Sequence, residues 1–146
     1  MASGTTVSNT AVTRHLVQGV VGGVAGGLVF GIMMAAQGMM PMIAAMVGSQ
    51  SEIIGWIVHF GISVFIGGTF GLIASRLPAG WVSVVVGGLV WGLVWWVAGA
   101  LIIMPLALGM NEMVLQIGQM QINSLIGHLI FGAIMGVVYR LIGQRM

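Results

Sequence analysis

Residues 20–31 read VVGGVAGGLVFG, and residues 85–96 read VVGGLVWGLVWW. The two stretches align at an offset of 65 and hold no charge or proline. In the first, glycine falls on every fourth residue: Gly19, Gly23, Gly27 and Gly31, with Ala35 next. Residues four apart share a helix face. In water such a helix would be weak, because each interior glycine costs about 0.5–1 kcal/mol relative to alanine. In lipid the balance differs. No hydrophobic force joins helices there, so they associate by close van der Waals packing, which small residues permit.

The whole chain points to lipid. Of its 146 residues 59% are apolar and 4% charged, against roughly 25% charged in a soluble domain. It has no Cys, Lys or Asp. Too few charges exist to keep a folded surface wet, so the class is an integral membrane protein. The pI near 10.7 rests on four Arg against two Glu. That is no basic patch, and no nucleic-acid partner is expected. Without Cys there are no disulfides and no thiolate metal sites.

A span needs about 20 predominantly apolar residues. Four segments qualify: Leu16–Ala36, Ile53–Ser75, Val82–Met104 and Ile122–Ile142. Residues 1–15 form a polar N-terminal tail ahead of them. The first span runs into Pro41, which should kink or end the helix. Ser49 with Glu52 three residues later fits a capping box. Residues 77–81 make the turn between spans two and three. Span three closes at Met104-Pro105, and the polar segment 111–121 should lie at the outer interface.

The charges orient the bundle. Arg14 precedes the first span, Arg76 follows the second, and Arg140 and Arg145 close the fourth, all on one side, while Glu52 and Glu112 sit in the two loops of the other. Cytoplasmic loops carry the excess of Lys and Arg, so both termini are expected in the cytoplasm. Trp81 and Tyr139 suit interfacial anchors there.

The aligned glycine stretches belong to a longer repeat. The later part of each half aligns at an offset of 69, pairing His59 with His128, Gly67 with Gly136, Phe70 with Tyr139 and Arg76 with Arg145. Residues 16–76 and 82–146 then read as two tandem helical hairpins. Each starts and ends on the same side, so the repeats are parallel and related by an axis along the membrane normal. The expected fold is all-α, with four transmembrane helices.

Stepping by four from each histidine exposes its face. The first reads Gly55, His59, Ser63, Gly67, Gly71, and the second Ser124, His128, Gly132, Gly136. Span three adds Gly88 and Gly92. These ladders are read as helix-packing faces, and Trp91, Trp95 and Trp96 are expected on other faces, toward lipid or a partner. Each His sits about six residues into its span, roughly 9 Å below the outer boundary at 1.5 Å per residue. An intramembrane ionisable residue usually faces protein or a cavity.

Three readings of the pair stay open. Each His bonds across an interface to a backbone carbonyl, or to Ser63 or Ser124, and sets helix register. Or the pair holds a cofactor: copper(I), whose soft ligands are thioether and imidazole, or haem between two axial His. Or it titrates along a proton or small-solute pathway. For a metal, Met40 and Met104, each followed by a proline, are the thioethers expected to assist the two histidines. Ten of the thirteen methionines fall between Met33 and Met46 or between Met104 and Met120, all toward the outer side.

Enzyme chemistry finds no paired carboxylate and no Cys nucleophile, and nothing orients a Ser63–His59 pair as a triad requires. The expected function is non-enzymatic: a small multi-pass protein acting by association, as a self-oligomer or accessory subunit. Copper(I) or haem binding and a solute pathway are the alternatives.

The segments MMPMIAAMVGS and GWIVHFGIS, followed by WWVAGALIIMPLALGM and SLIGHLIFG, resemble a loose group of small, uncharacterised four-span bacterial membrane proteins with a duplicated hairpin. The resemblance implies a bacterial inner-membrane location and carries no activity or site residue. The four-span multidrug exporters differ, since no glutamate stands in the first span here.

Overall fold

A computed structural model describes residues 4–146, with side chains from residue 9 onward. Helix α1 (Gly4–Ala36) is followed by a short α2 (Met40–Ala45), then α3 (Glu52–Ala74) and α4 (Trp81–Trp95). Helix α4 runs on through a π-helical stretch, Trp96–Ile103, into α5 (Met104–Ala107). A 3-10 turn at Asn111–Met113 leads to α6 (Gln119–Gly143). Four stretches are long and apolar enough to cross a membrane: Asn9–Ala36, Glu52–Ala74, Trp81–Ala107 and Gln119–Gly143. Outward-facing Ile57, Phe65, Val82 and Val90 are all more than half exposed, as lipid-facing side chains would be.

Several boundaries differ from the sequence reading, each for a local reason. From Gly4 on, the expected polar tail is helical and continuous with the first span. Ser49 does not cap α3. Ser51 takes the N-cap position, and the Ser49 hydroxyl accepts from the Ser51 N–H at 3.1 Å instead. The first turn of α6 begins three residues before the expected start, because the Gln121 side chain reaches back to the Gly118 N–H at 3.0 Å. The prolines behave differently from each other. Helix α1 ends at Ala36, Gly38 turns the chain at φ 69°, and Pro41 stands in the first turn of α2. There its missing N–H costs nothing. Pro105 also lies in a first turn, that of α5, but the third span does not stop there. The wider π-helical turns before it change the hydrogen-bond register, so the ring is taken up without a break.

The helices pack antiparallel, and the contacts give the register. A methyl group on Gly19 would stand 2.7 Å from the Gly71 Cα, and one on Gly23 would stand 2.8 Å from the Gly67 Cα. Gly27 abuts Ser63, and Gly31 abuts Trp56 and His59. In the other pair, Gly88 abuts Gly132 and Gly136, and Gly92 abuts His128 and Gly132. At Gly19, Gly23, Gly88 and Gly92 backbone lies on backbone, so a single added carbon has no room, while Gly27 and Gly31 are closed off by side chains. Gly55 abuts the Met40 carbonyl, which seats α2 on α3. Arg14, Arg76, Arg140 and Arg145 consequently share one end of the bundle, and Glu52 and Glu112 the other.

Helix α1 occupies the middle. It packs on α3 and on α6, α4 packs on α6, and α3 barely touches α4. One substitution pattern accounts for this unevenness. On α1, Gly22 lies against Met135 and Gly26 against Phe131, while Phe30 fits over Gly127. Sixty-five positions on, Gly26 becomes Trp91 and Phe30 becomes Trp95. Where α1 offers α6 a smooth face, α4 offers α3 two indoles. Trp91, expected toward lipid or a partner, is only partly exposed. Its indole N–H donates to the Ile66 carbonyl at 3.2 Å and wedges α4 away from α3. Trp96 is buried and donates to the Gln121 carbonyl at 2.9 Å. Indole N–H groups in a span need an acceptor, and that need turns both rings inward.

A cavity shared by two histidines

The gap between α3 and α4 is a cavity of about 360 Å³ in the half of the bundle nearer Glu52. Its walls are apolar, from Ile62, Phe65 and Ile66 on α3 to Trp95, Ala100 and Ile103 on the third span. The π-helical stretch forms one wall, and π-helical turns recur at functional sites. Both sequence-identified histidines line it. Phe30 meets both imidazoles edge-on, His128 at a ring separation of 4.8 Å and His59 at 5.9 Å. The two imidazoles can stand no farther apart than those two distances together.

Each ring is tied through one nitrogen. His59 donates from Nε2 to the Gly27 carbonyl at 2.7 Å, across the α1–α3 contact. His128 donates from Nδ1 to the Ser124 carbonyl at 2.8 Å, one turn back on its own helix. The Ser63 hydroxyl donates to the His59 carbonyl at 2.8 Å, so it does not address the ring. His59 therefore does set register between two helices, whereas His128 bonds only within α6. In a neutral imidazole one nitrogen donates and the other keeps a lone pair. The lone pairs fall to Nδ1 of His59 and Nε2 of His128, and neither has a hydrogen-bond partner among the described residues. A donor nitrogen fixed on a carbonyl is also how a metal-binding histidine is usually held.

The thioethers are arranged differently from their sequence order. Met104 lines the cavity, as do Met34, Met39 and Met46. Met40, named with Met104 from the Met-Pro pairs, is 1% exposed and lies in the core away from the cavity. The helix break at Gly38 is the reason: it rotates α2 so that Met39 takes the cavity side. Of the ladder residues, Ser124 lines the cavity rather than a helix contact. Met39 and Met46 were hard to single out in a segment so rich in methionine, because the turn after Ala36 decides which of them point inward; Met34 stands on α1 itself, four residues after Phe30 on the same face.

Among the described residues no three His, Cys, Asp or Glu side chains come together. The donor set is two imidazole nitrogens and several thioethers, all neutral. Toward the arginine end Phe70 and Met135 are fully buried and fill the core beneath the cavity. The Trp95 indole N–H, a donor only, is buried with no partner among the described residues. Comparison with protein-family models, curated proteins and solved structures found no match.

Proposed function

We propose that this small multi-pass membrane protein is a non-enzymatic copper(I)-binding protein of a bacterial inner membrane, with both termini in the cytoplasm. One observation carries the reading: both histidines open onto a single methionine-lined cavity, each with one nitrogen fixed and one lone pair free. Imidazole with thioether suits Cu(I). Charge supports the same ion. The cost of burying an ion rises steeply with its charge, and no carboxylate lines the cavity to offset a divalent cation. At about 360 Å³ the cavity is at the small end of the roughly 300–1,000 Å³ range of ligand pockets, which favours a compact ion over a haem macrocycle. The four arginines at one end support the orientation, with the cavity in the outer half.

Anaerobic titration of the detergent-purified protein against a chromogenic Cu(I) chelator tests this. One Cu(I) per chain is expected, lost in H59A and H128A variants that still elute as folded protein. Failure of the wild-type chain to compete with the chelator would sink the reading.

Association as an oligomer or accessory subunit is the second reading. The glycine ladders do not favour it, since they are engaged within the chain. What favours it is the third span, Trp81–Ala107, whose most apolar window is only 22% buried against 44% for the first span. A solute pathway has no such support, because the core beneath the cavity is filled.

A further inference from the structure

A second cavity, of about 260 Å³, adjoins the first on the side of the Glu52 end. Six methionines line it: Met39, Met42, Met104, Met110, Met113 and Met120. They come from four separate places in the chain: the α1–α2 turn with α2, α5, the 3-10 turn and the start of α6. No local sequence period gathers them. The two cavities share Met39 and Met104 in their walls, along with Ala100 and Ser124. Met110 and Met120 are exposed, so the chamber reaches the surface at the Glu52 end, whereas the histidine cavity opens sideways between α3 and the third span, past the exposed Ile62, Phe65 and Ile103.

We propose that this thioether chamber is the loading site through which Cu(I) reaches the histidine cavity, with Met39 and Met104 as the ligands common to both. The inference rests on the copper reading above. Thioethers are soft, neutral and weak ligands, so a site built from them accepts Cu(I) and releases it again. Flexible methionine side chains can follow the ion as it moves. Transfer is ligand exchange. Chamber sulfurs from Met42, Met110, Met113 or Met120 leave the copper, and the free nitrogens of His59 and His128 bind it. Met39 and Met104 can stay bound throughout, so the ion need not be released bare into an apolar site. No electron moves, and copper remains Cu(I). An ion entering without such ligands would lose its hydration with nothing in exchange.

The test separates loading rate from final occupancy. Cu(I) is delivered from its chromogenic chelator complex to the purified chain in detergent, and loss of the complex is followed by stopped flow. The triple variant M110L/M113L/M120L changes only the chamber, and Met-to-Leu swaps conserve volume. It should still take up one Cu(I) per chain, with loading slowed at least tenfold. M39L/M104L should lose both rate and occupancy. H59A/H128A should not hold Cu(I) against the chelator, but with copper supplied in the absence of a competitor X-ray absorption should report an all-sulfur shell, from the weak thioether chamber alone. Loading of the triple variant at the wild-type rate would overturn the inference and leave the copper reading standing. Failure of the wild-type chain to take up copper would remove both.

Discussion

Replacing Gly67 with alanine tests the packing on which the cavity depends. The new methyl group would stand 2.7 Å from the Gly23 Cα and 3.0 Å from the Gly23 nitrogen, and nearer still to the Gly19 carbonyl oxygen. All three are backbone atoms, so no side chain can swing aside. Ordinary carbon contacts lie about 3.5–4.0 Å apart, so α1 and α3 must separate by about 1 Å. Overpacking of this kind costs about 1–3 kcal/mol. The same displacement stretches the 2.7 Å bond from His59 to the Gly27 carbonyl, and an interhelical hydrogen bond in a membrane protein averages about 0.6 kcal/mol. The expected loss is therefore about 1.6–3.6 kcal/mol. Reversible unfolding in mixed micelles, or steric trapping in bicelles, would measure it. Gly61 on the same helix supplies the control, since a methyl group there meets nothing within 4 Å. G61A should be neutral or stabilise by up to about 1 kcal/mol. Equal stabilities for G67A and G61A would refute the claim that α1 and α3 touch through their backbones.

Two further outcomes can be checked directly. The Tyr139 hydroxyl and His15 Nδ1 lie 2.6 Å apart and join α1 to α6 near the arginine end; Y139F should cost about 0.5–1.5 kcal/mol in the same unfolding assay and leave copper occupancy unchanged. Because the chain has no cysteine, single cysteines report topology cleanly: S49C should react with a membrane-impermeant maleimide added to whole cells, A79C should not, and the reverse pattern would overturn the orientation.

The four apolar helices were legible in the sequence because span length and hydropathy are local properties, set by the thickness of the bilayer. The four-residue spacing of Gly19, Gly23 and Gly27, and of Ser63, Gly67 and Gly71, was also local, because helix periodicity fixes which side chains share a face. Which faces would meet was not local. Nothing in the spacing says that α1 packs on both α3 and α6 while α3 and α4 stay apart. That follows from whole interfaces: Gly26 and Phe30 lie flat against α6, and Trp91 and Trp95 at the aligned positions of α4 cannot lie flat against α3. The Met40-Pro41 and Met104-Pro105 pairs look alike as sequence, yet the turn at Gly38 sends Met40 into the core and Met39 to the cavity. The sequence by itself determined the membrane class, the ladders and the presence of one histidine in each of two spans. Only the tertiary structure decided that His59 and His128 share one cavity, since that depends on where bulky indoles keep two helices from closing.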